Sequence, residues 1–204
     1  MIFNLRDGRV GLIHRIHPNI QLAIFDDLDQ LWNPPAGYWD AHLADLAAHT
    51  IIAPAEGALG VGGGAPPLES EDGLLLFFHE RQSDGHYATK VALLDADTGR
   101  VRSLLPDPIM RPQLGWECFG DIDNIIFVQG AVAQPDGTID LPHLRCCRLL
   151  RRRGGRGGSR GHRRPARRRV DQRQVVCARV CASKPEQTAS NIRTMSGSLA
   201  CERR

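Results

Sequence analysis

Two side chains in this 204-residue sequence have the type and setting to act on a ligand. Arg15 lies near the end of the apolar run RVGLIHRI (9–16), and His79 closes the compact run LLLFFH (74–79). An arginine and a histidine at strand ends are donors suited to an anion such as phosphate, the arginine through a bidentate fork. Each also has a plain alternative: a surface ion pair for Arg15, a backbone-bonded strand-end histidine for His79. Between them lies a glycine-rich stretch with Gly60, Gly62, Gly63 and Gly64. Its backbone N–H groups can cradle an anion, although an ordinary turn explains it equally simply. Tyr87 and the pair Trp116-Glu117 complete the set. An aromatic ring stacks on a sugar face and a carboxylate binds hydroxyls; strand packing for Tyr87, and a core tryptophan beside a surface acid, are the alternatives. Trp32, Tyr38 and Trp39 sit in a loop-like stretch, where packing is the simpler reading. Cys177 and Cys181 stand four apart with no matching histidine pair, so no zinc site is expected.

The elements that must position these residues read as strands. RVGLIHRI (9–16) and IQLAIF (20–25) flank a His17-Pro18-Asn19 turn. Residues 38–50 are the one plausible helical stretch of the first 143. Five glycines then fall between Gly57 and Gly64, in a segment read as a loop. LLLFFH (74–79), YATKVALLD (87–95), 101–105 and 122–132 follow, separated by Gly, Pro and Asp turns such as Ala96-Asp97-Thr98-Gly99 and Pro135-Asp136-Gly137. Short strands at regular spacing imply an all-β sandwich, barrel or propeller; pattern alone does not choose among them.

The formal net charge of +3 averages two unlike parts. Residues 1–144 hold 8 Lys+Arg and 20 Asp+Glu, a net −12, and residues 145–204 hold 18 and 3, a net +15. Twelve of the 26 residues from Arg145 to Val170 are arginine. That stretch has no strand or helix period and little to bury, so a domain over 1–143 and a disordered basic tail over 144–204 are expected. Five of the six cysteines fall in the tail and only Cys118 outside it, so no disulfide framework is implied. The tail lacks interleaved aromatics, and no specific nucleic-acid partner is expected. No run of 18 apolar residues exists and the first 15 residues carry charges where a secretory leader needs an apolar run, so no membrane association and a cytoplasmic location are expected.

Three segments carry a family resemblance. Gly8-Arg9-Val10-Gly11-Leu12-Ile13-His14-Arg15-Ile16 is similar to a family strand ending in His-Arg. The run from Gly62 through Pro66-Pro67, Glu71-Asp72-Gly73 and Leu74–His79 resembles Gly-x-Gly-x-Pro-Pro, an acidic glycine turn and an apolar strand ending in Tyr-His. It continues into Tyr87 and Ala92-Leu93-Leu94-Asp95, like the family's Tyr…Ala-Leu-Leu-Asp. Pro108-Ile109-Met110-Arg111-Pro112, Trp116-Glu117 and Asn124-Ile125-Ile126-Phe127 resemble Pro-Ile-Leu-x-Pro…Tyr-Glu…Asn-Val-Val-Phe. In order and spacing the chain resembles the latter half of glycoside hydrolase family 130.

The resemblance implies a partial five-bladed β-propeller with its sugar site in the central cavity. It implies inverting transfer of a β-linked mannosyl unit from an oligosaccharide to inorganic phosphate, with phosphate as co-substrate, no metal, no organic cofactor, and a homo-oligomer for the full-length protein. Arg15 and His79 would hold phosphate; Tyr87 and Glu117 would contact the sugar. Gly60 departs from the lysine that many members carry there, which leaves a hydrolase of the same fold as an alternative. No catalytic residue is assigned: the family's key aspartate belongs to an earlier blade, and Asp7 does not match its motif. A third expectation follows, an inactive sugar-binding or orphan fragment whose unclosed ring exposes sheet edges. Shifting the reading frame by one base across Leu144 to Leu149 permits Tyr-Gly-Ala-Ala-Asp, the family's next motif, so the tail is read as a frameshift product. An Arg-rich frame kept intact on resequencing related strains would refute that reading.

Overall fold

The computed structural model describes residues 1–119, 122–145, 176–181 and 193–195; for residue 116 and from residue 143 onward it describes backbone only. Three antiparallel sheets follow one another along the chain. The first runs in chain order: β1 (Ile2–Asn4), β2 (Val10–Ile16), β3 (Asn19–Phe25) and β4 (Thr50–Ile52). The second contains β5 (Gly60–Gly63), β6 (Leu68–Ser70), β7 (Gly73–Arg81), β8 (Tyr87–Leu94) and β9 (Val101–Leu104). β5 and β6 pair with opposite ends of β7, Gly60 opposite Arg81 and Ser70 opposite Gly73. They are one edge strand interrupted by the prolines at 66 and 67, because proline cannot donate to a ladder. The third sheet repeats this device. β10 (Ile126–Val128) and β11 (Val132–Ala133) share the edge of β12 (Thr138–Arg145), followed by β13 (Val176–Cys181) and β14 (Arg193–Met195).

β7 and β8 explain why the middle of the sequence is so apolar. Leu74, Leu76 and Phe78 pack with Ala92 and Leu94 against Phe3, Ile13, Ile20 and Leu22 of the first sheet. Phe77 and Val91 point the other way, into a core with Val128, Ile139 and Leu141 of the third sheet. A sheet covered on both faces loses polar alternation and reads as a continuous hydrophobic run. Each of those large side chains contributes about 1.5–3 kcal/mol by leaving water. The far face of the first sheet is covered by three short helices, α1 (Leu28–Trp32), α2 (Tyr38–Ala44) and α3 (Leu46–His49). Val10, Ala23 and Phe25 of that face pack beneath Leu31, Tyr38 and Trp39.

Several expectations change. The helical stretch at 38–50 forms as α2 and α3, yet α1 and α4 (Gly115–Cys118) also form. The glycine-rich segment is not a loop: Gly60–Gly63 is a paired strand. The apolar run 122–132 yields only the short β10 and the start of β11, with Asn124 at φ 57° breaking it. The tail expected to be disordered contains β13 and β14, paired antiparallel. VVCARV (175–180) carries the β-branched residues that suit a strand, which the arginine-dominated composition obscures. The remainder of that expectation falls outside the described residues. No helix among the described residues is long and apolar enough to cross a membrane.

Candidate functional site

The three sheets converge on one cavity of about 290 Å³. Arg15 and His17 reach it from the end of β2 and the turn that follows. The second sheet supplies Leu59 to Gly64, together with His79, Arg81 and Tyr87. Phe127 and Val128 come from β10, with Gln129 just after it. Strand alternation puts Arg15 on the face of β2 that carries Ile13 toward the second sheet, and places His79 and Arg81 together on one face of β7. The glycines of β5 let these walls approach. A Cβ at Gly64 would fall 2.8 Å from the Phe77 carbonyl oxygen and 2.9 Å from that of Val128, closer than real atoms allow. A Cβ at Gly62 would lie 3.8 Å from Arg15 Cδ, so a side chain here would pack directly against the arginine.

The charge of the cavity is opposite to that of the chain around it. Residues 1–144 are strongly acidic, but among the described lining residues there are two arginines, two histidines and no carboxylate. Arg15 Nη2 lies 3.2 Å from His17 Nδ1. The Arg81 guanidinium sits 5.9 Å above the Tyr87 ring centroid, in cation–π range. Tyr87 and His79 both pack on Phe127, with centroids 4.9 and 4.7 Å apart. One wall is thus aromatic and the other carries donors.

His79 behaves differently from Arg15. It is 4% exposed. Its Nε2 accepts the Val128 N–H at 2.8 Å. Burial pushes its pKa down to about 4, against the smaller opposing effect of the Gly63 backbone. The ring is therefore neutral, and its bond to the Val128 N–H ties the second sheet to the third.

The family model described as beta-1,4-mannooligosaccharide phosphorylase matches residues 5–139. The chain belongs to glycoside hydrolase family 130. A 1,2-beta-oligomannan phosphorylase of Thermoanaerobacter sp. (strain X514) is 31% identical over 137 residues, 64% of this chain and 40% of that protein. A Beta-1,2-mannobiose phosphorylase of the same organism is 39% identical over 77 residues, 37% of this chain and 26% of the relative. Among solved structures, Beta-1,2-Mannobiose phosphorylase from Listeria innocua aligns with a TM-score of 0.55 at 20% identity, covering 72% of this chain and 40% of that one. A hypothetical protein from Leishmania major aligns at 0.51 and 16% identity, over 70% and 46%. These likenesses support the fold, and the chain spans less than half the length of these relatives.

In this family 130 chain, three of the four residues singled out in the sequence meet at the cavity: Arg15, His79 and Tyr87. His79 lines the cavity with its Nε2 already accepting the Val128 N–H. Glu117 does not line the cavity; it is 5% exposed and accepts the Gln113 and Leu114 N–H groups at 3.0 Å each, capping α4. Trp32, Tyr38 and Trp39 lie away from the cavity, Tyr38 and Trp39 packed at a tilt against Phe25 and Trp32 exposed. His17, Arg81, Phe127 and Gln129 were not singled out. Arg81 was nonetheless readable, two residues beyond His79 on the same strand face.

Proposed function

We propose that this chain supplies the phosphate-binding side of a β-mannoside phosphorylase, in which a mannosyl unit passes from an oligosaccharide to inorganic phosphate with inversion. The observation that carries the reading is the sign of the cavity: two arginines and no described carboxylate within an acidic region. A phosphate dianion is held best by bidentate cationic donors. Arg15 and Arg81 are the residues placed to hold it, and Tyr87 with Phe127 forms the apolar face on which a sugar ring would rest. The three successive antiparallel sheets are read as three blades of a five-bladed propeller, whose central cavity this is. Their four-step meander and face-to-face packing support that reading.

Glycoside cleavage also needs a carboxylic acid to protonate the leaving oxygen. None lines the cavity among the described residues, so the role assigned to this chain is binding and orientation rather than proton transfer. A hydrolase is the second reading, favoured by Gly60, which presents no cation to the cavity. Calorimetric titration of the chain with inorganic phosphate tests the first reading directly. Saturable binding that disappears in Arg15→Ala is the expected result; absence of binding in the unaltered chain refutes it. Product analysis with a β-mannobiose and phosphate separates the two readings, as mannose 1-phosphate or free mannose.

A further inference from the structure

His17 stands at the mouth of the cavity in a position that several features hold in place. The turn carrying it is tied to β5 by the Val61 N–H donating to the Pro18 carbonyl at 2.9 Å. Its ring lies over Gly60. A Cβ at residue 60 would come 3.0 Å from His17 Cε1 and 3.1 Å from Nδ1. The absence of a side chain at Gly60 is therefore what seats the imidazole. On the cavity side Arg15 Nη2 approaches His17 Nδ1 at 3.2 Å. A guanidinium only donates, so Nδ1 accepts and the ring proton resides on Nε2, assigned by this network. That N–H is a donor with no protein partner among the described residues, on an exposed side chain beside Arg15, itself an exposed residue of the cavity.

We propose that His17 is a third ligand of the anion, donating through Nε2–H while its Nδ1 holds the Arg15 guanidinium in position. The proposal rests on the reading of the cavity as a phosphate site. It makes Gly60 part of the same device: a glycine here removes a side chain from the wall and admits an imidazole in its place.

The test is calorimetric titration of inorganic phosphate into the unaltered chain, His17→Ala, His17→Gln, Gly60→Ala and the double variant His17→Ala/Gly60→Ala. Loss of one hydrogen bond to a charged ligand weakens binding by roughly tenfold, and His17→Ala should show that loss. His17→Gln, whose amide nitrogen reaches about as far as Nε2, should recover most of it. Gly60→Ala crowds the ring and should weaken binding comparably, whereas the double variant should bind no worse than His17→Ala alone, because one contact is lost only once. Undiminished binding by His17→Ala, or additive losses at the two positions, overturns the role of His17. No phosphate binding by the unaltered chain instead overturns the phosphate reading itself. His17 is exposed, so melting curves of its two variants should match the parent and keep the test free of folding effects.

Discussion

The two walls of the cavity invite comparison, because the sequence presents their principal residues in the same way. Arg15 and His79 each come near the end of an apolar strand and each lines the same space. Arg15 is exposed, and its one described side-chain hydrogen-bond partner is another exposed cavity residue, His17. His79 is buried, and its Nε2 accepts a backbone N–H from the neighbouring sheet. A residue can therefore lie at a binding site without being free to bind. What separates the two is whether the polar atoms already have partners that the fold requires.

The largest effect that would break this comparison is on stability. His79→Ala removes the acceptor of the buried Val128 N–H and leaves a void beside Phe127. An unsatisfied buried donor costs about 1–3 kcal/mol and a void adds to that, so denaturant titration should show a loss of roughly 3 kcal/mol. Arg15→Ala, at an exposed site, should change stability by less than about 0.5 kcal/mol. Similar losses for both variants would remove the distinction drawn between the walls.

Acid should act on the His79 wall first. Its folded pKa of about 4 lies below the ordinary histidine value of 6.5, so the unfolded chain binds a proton that the folded chain excludes. The stability contributed by neutral His79 is fully present above pH 6.5 and is lost as the pH falls toward 4. The whole interval corresponds to at most roughly 3 kcal/mol. His42, under the helical cover of the first sheet, has its pKa lowered to about 4 by burial and by His49 and His14, and contributes with the same sign. Denaturation midpoints measured from neutral pH to pH 4 should fall steadily, and less steeply in His79→Phe. An equal slope in the variant would show that His79 is not one of the groups responsible.

How much of this was legible in the sequence follows from what each element buries. β7 and β8 were evident because both faces are covered, and the five apolar residues in succession from Leu74 to Phe78 leave little else to be. β5 was hidden. Glycine gives no periodicity, and what makes Gly60–Gly63 a strand is the long-range pairing with β7. α1 carried a readable start signal, Asp27 capping the Gln30 N–H at 2.7 Å, but the helix is only five residues long. His17 carried no local mark, and Arg81 only its position two residues beyond His79 on the same strand face. Their importance comes from three sheets meeting at one end, which no single segment records. Glu117 is the converse case: a carboxylate beside an aromatic suggests a sugar contact, and its bonds to the Gln113 and Leu114 N–H groups leave no mark in the sequence.

An intermediate effect sharpens the comparison from the side of the ligand. A Cβ at Gly62 would meet Arg15 Cδ at an ordinary contact distance of 3.8 Å, and Gly62 has no left-handed backbone that would require glycine. Gly62→Val should therefore fill the cavity at modest cost, within about 1 kcal/mol by thermal melting. Phosphate affinity, measured by titration, should fall by about tenfold or more, since the valine methyls would occupy the approach to the guanidinium. Retained affinity in a folded variant would place the anion elsewhere.

The smallest predicted effect concerns Arg81, which sits between the two kinds of wall. Its guanidinium lies over the Tyr87 ring, a contact worth about 0.5–1 kcal/mol at an exposed site. The ring restricts where the charge can move. Tyr87→Leu keeps an apolar surface against Phe127 and removes only the π face. Phosphate affinity should then weaken two- to fivefold, the factor that this contact energy implies, with Arg15 and His17 untouched. Arg81→Lys in the Tyr87→Leu background should produce a smaller further loss than Arg81→Lys alone, because part of what the arginine contributes depends on the ring that holds it. If the two losses simply add, Arg81 acts through its charge alone, and the aromatic wall serves the sugar without organising the anion site.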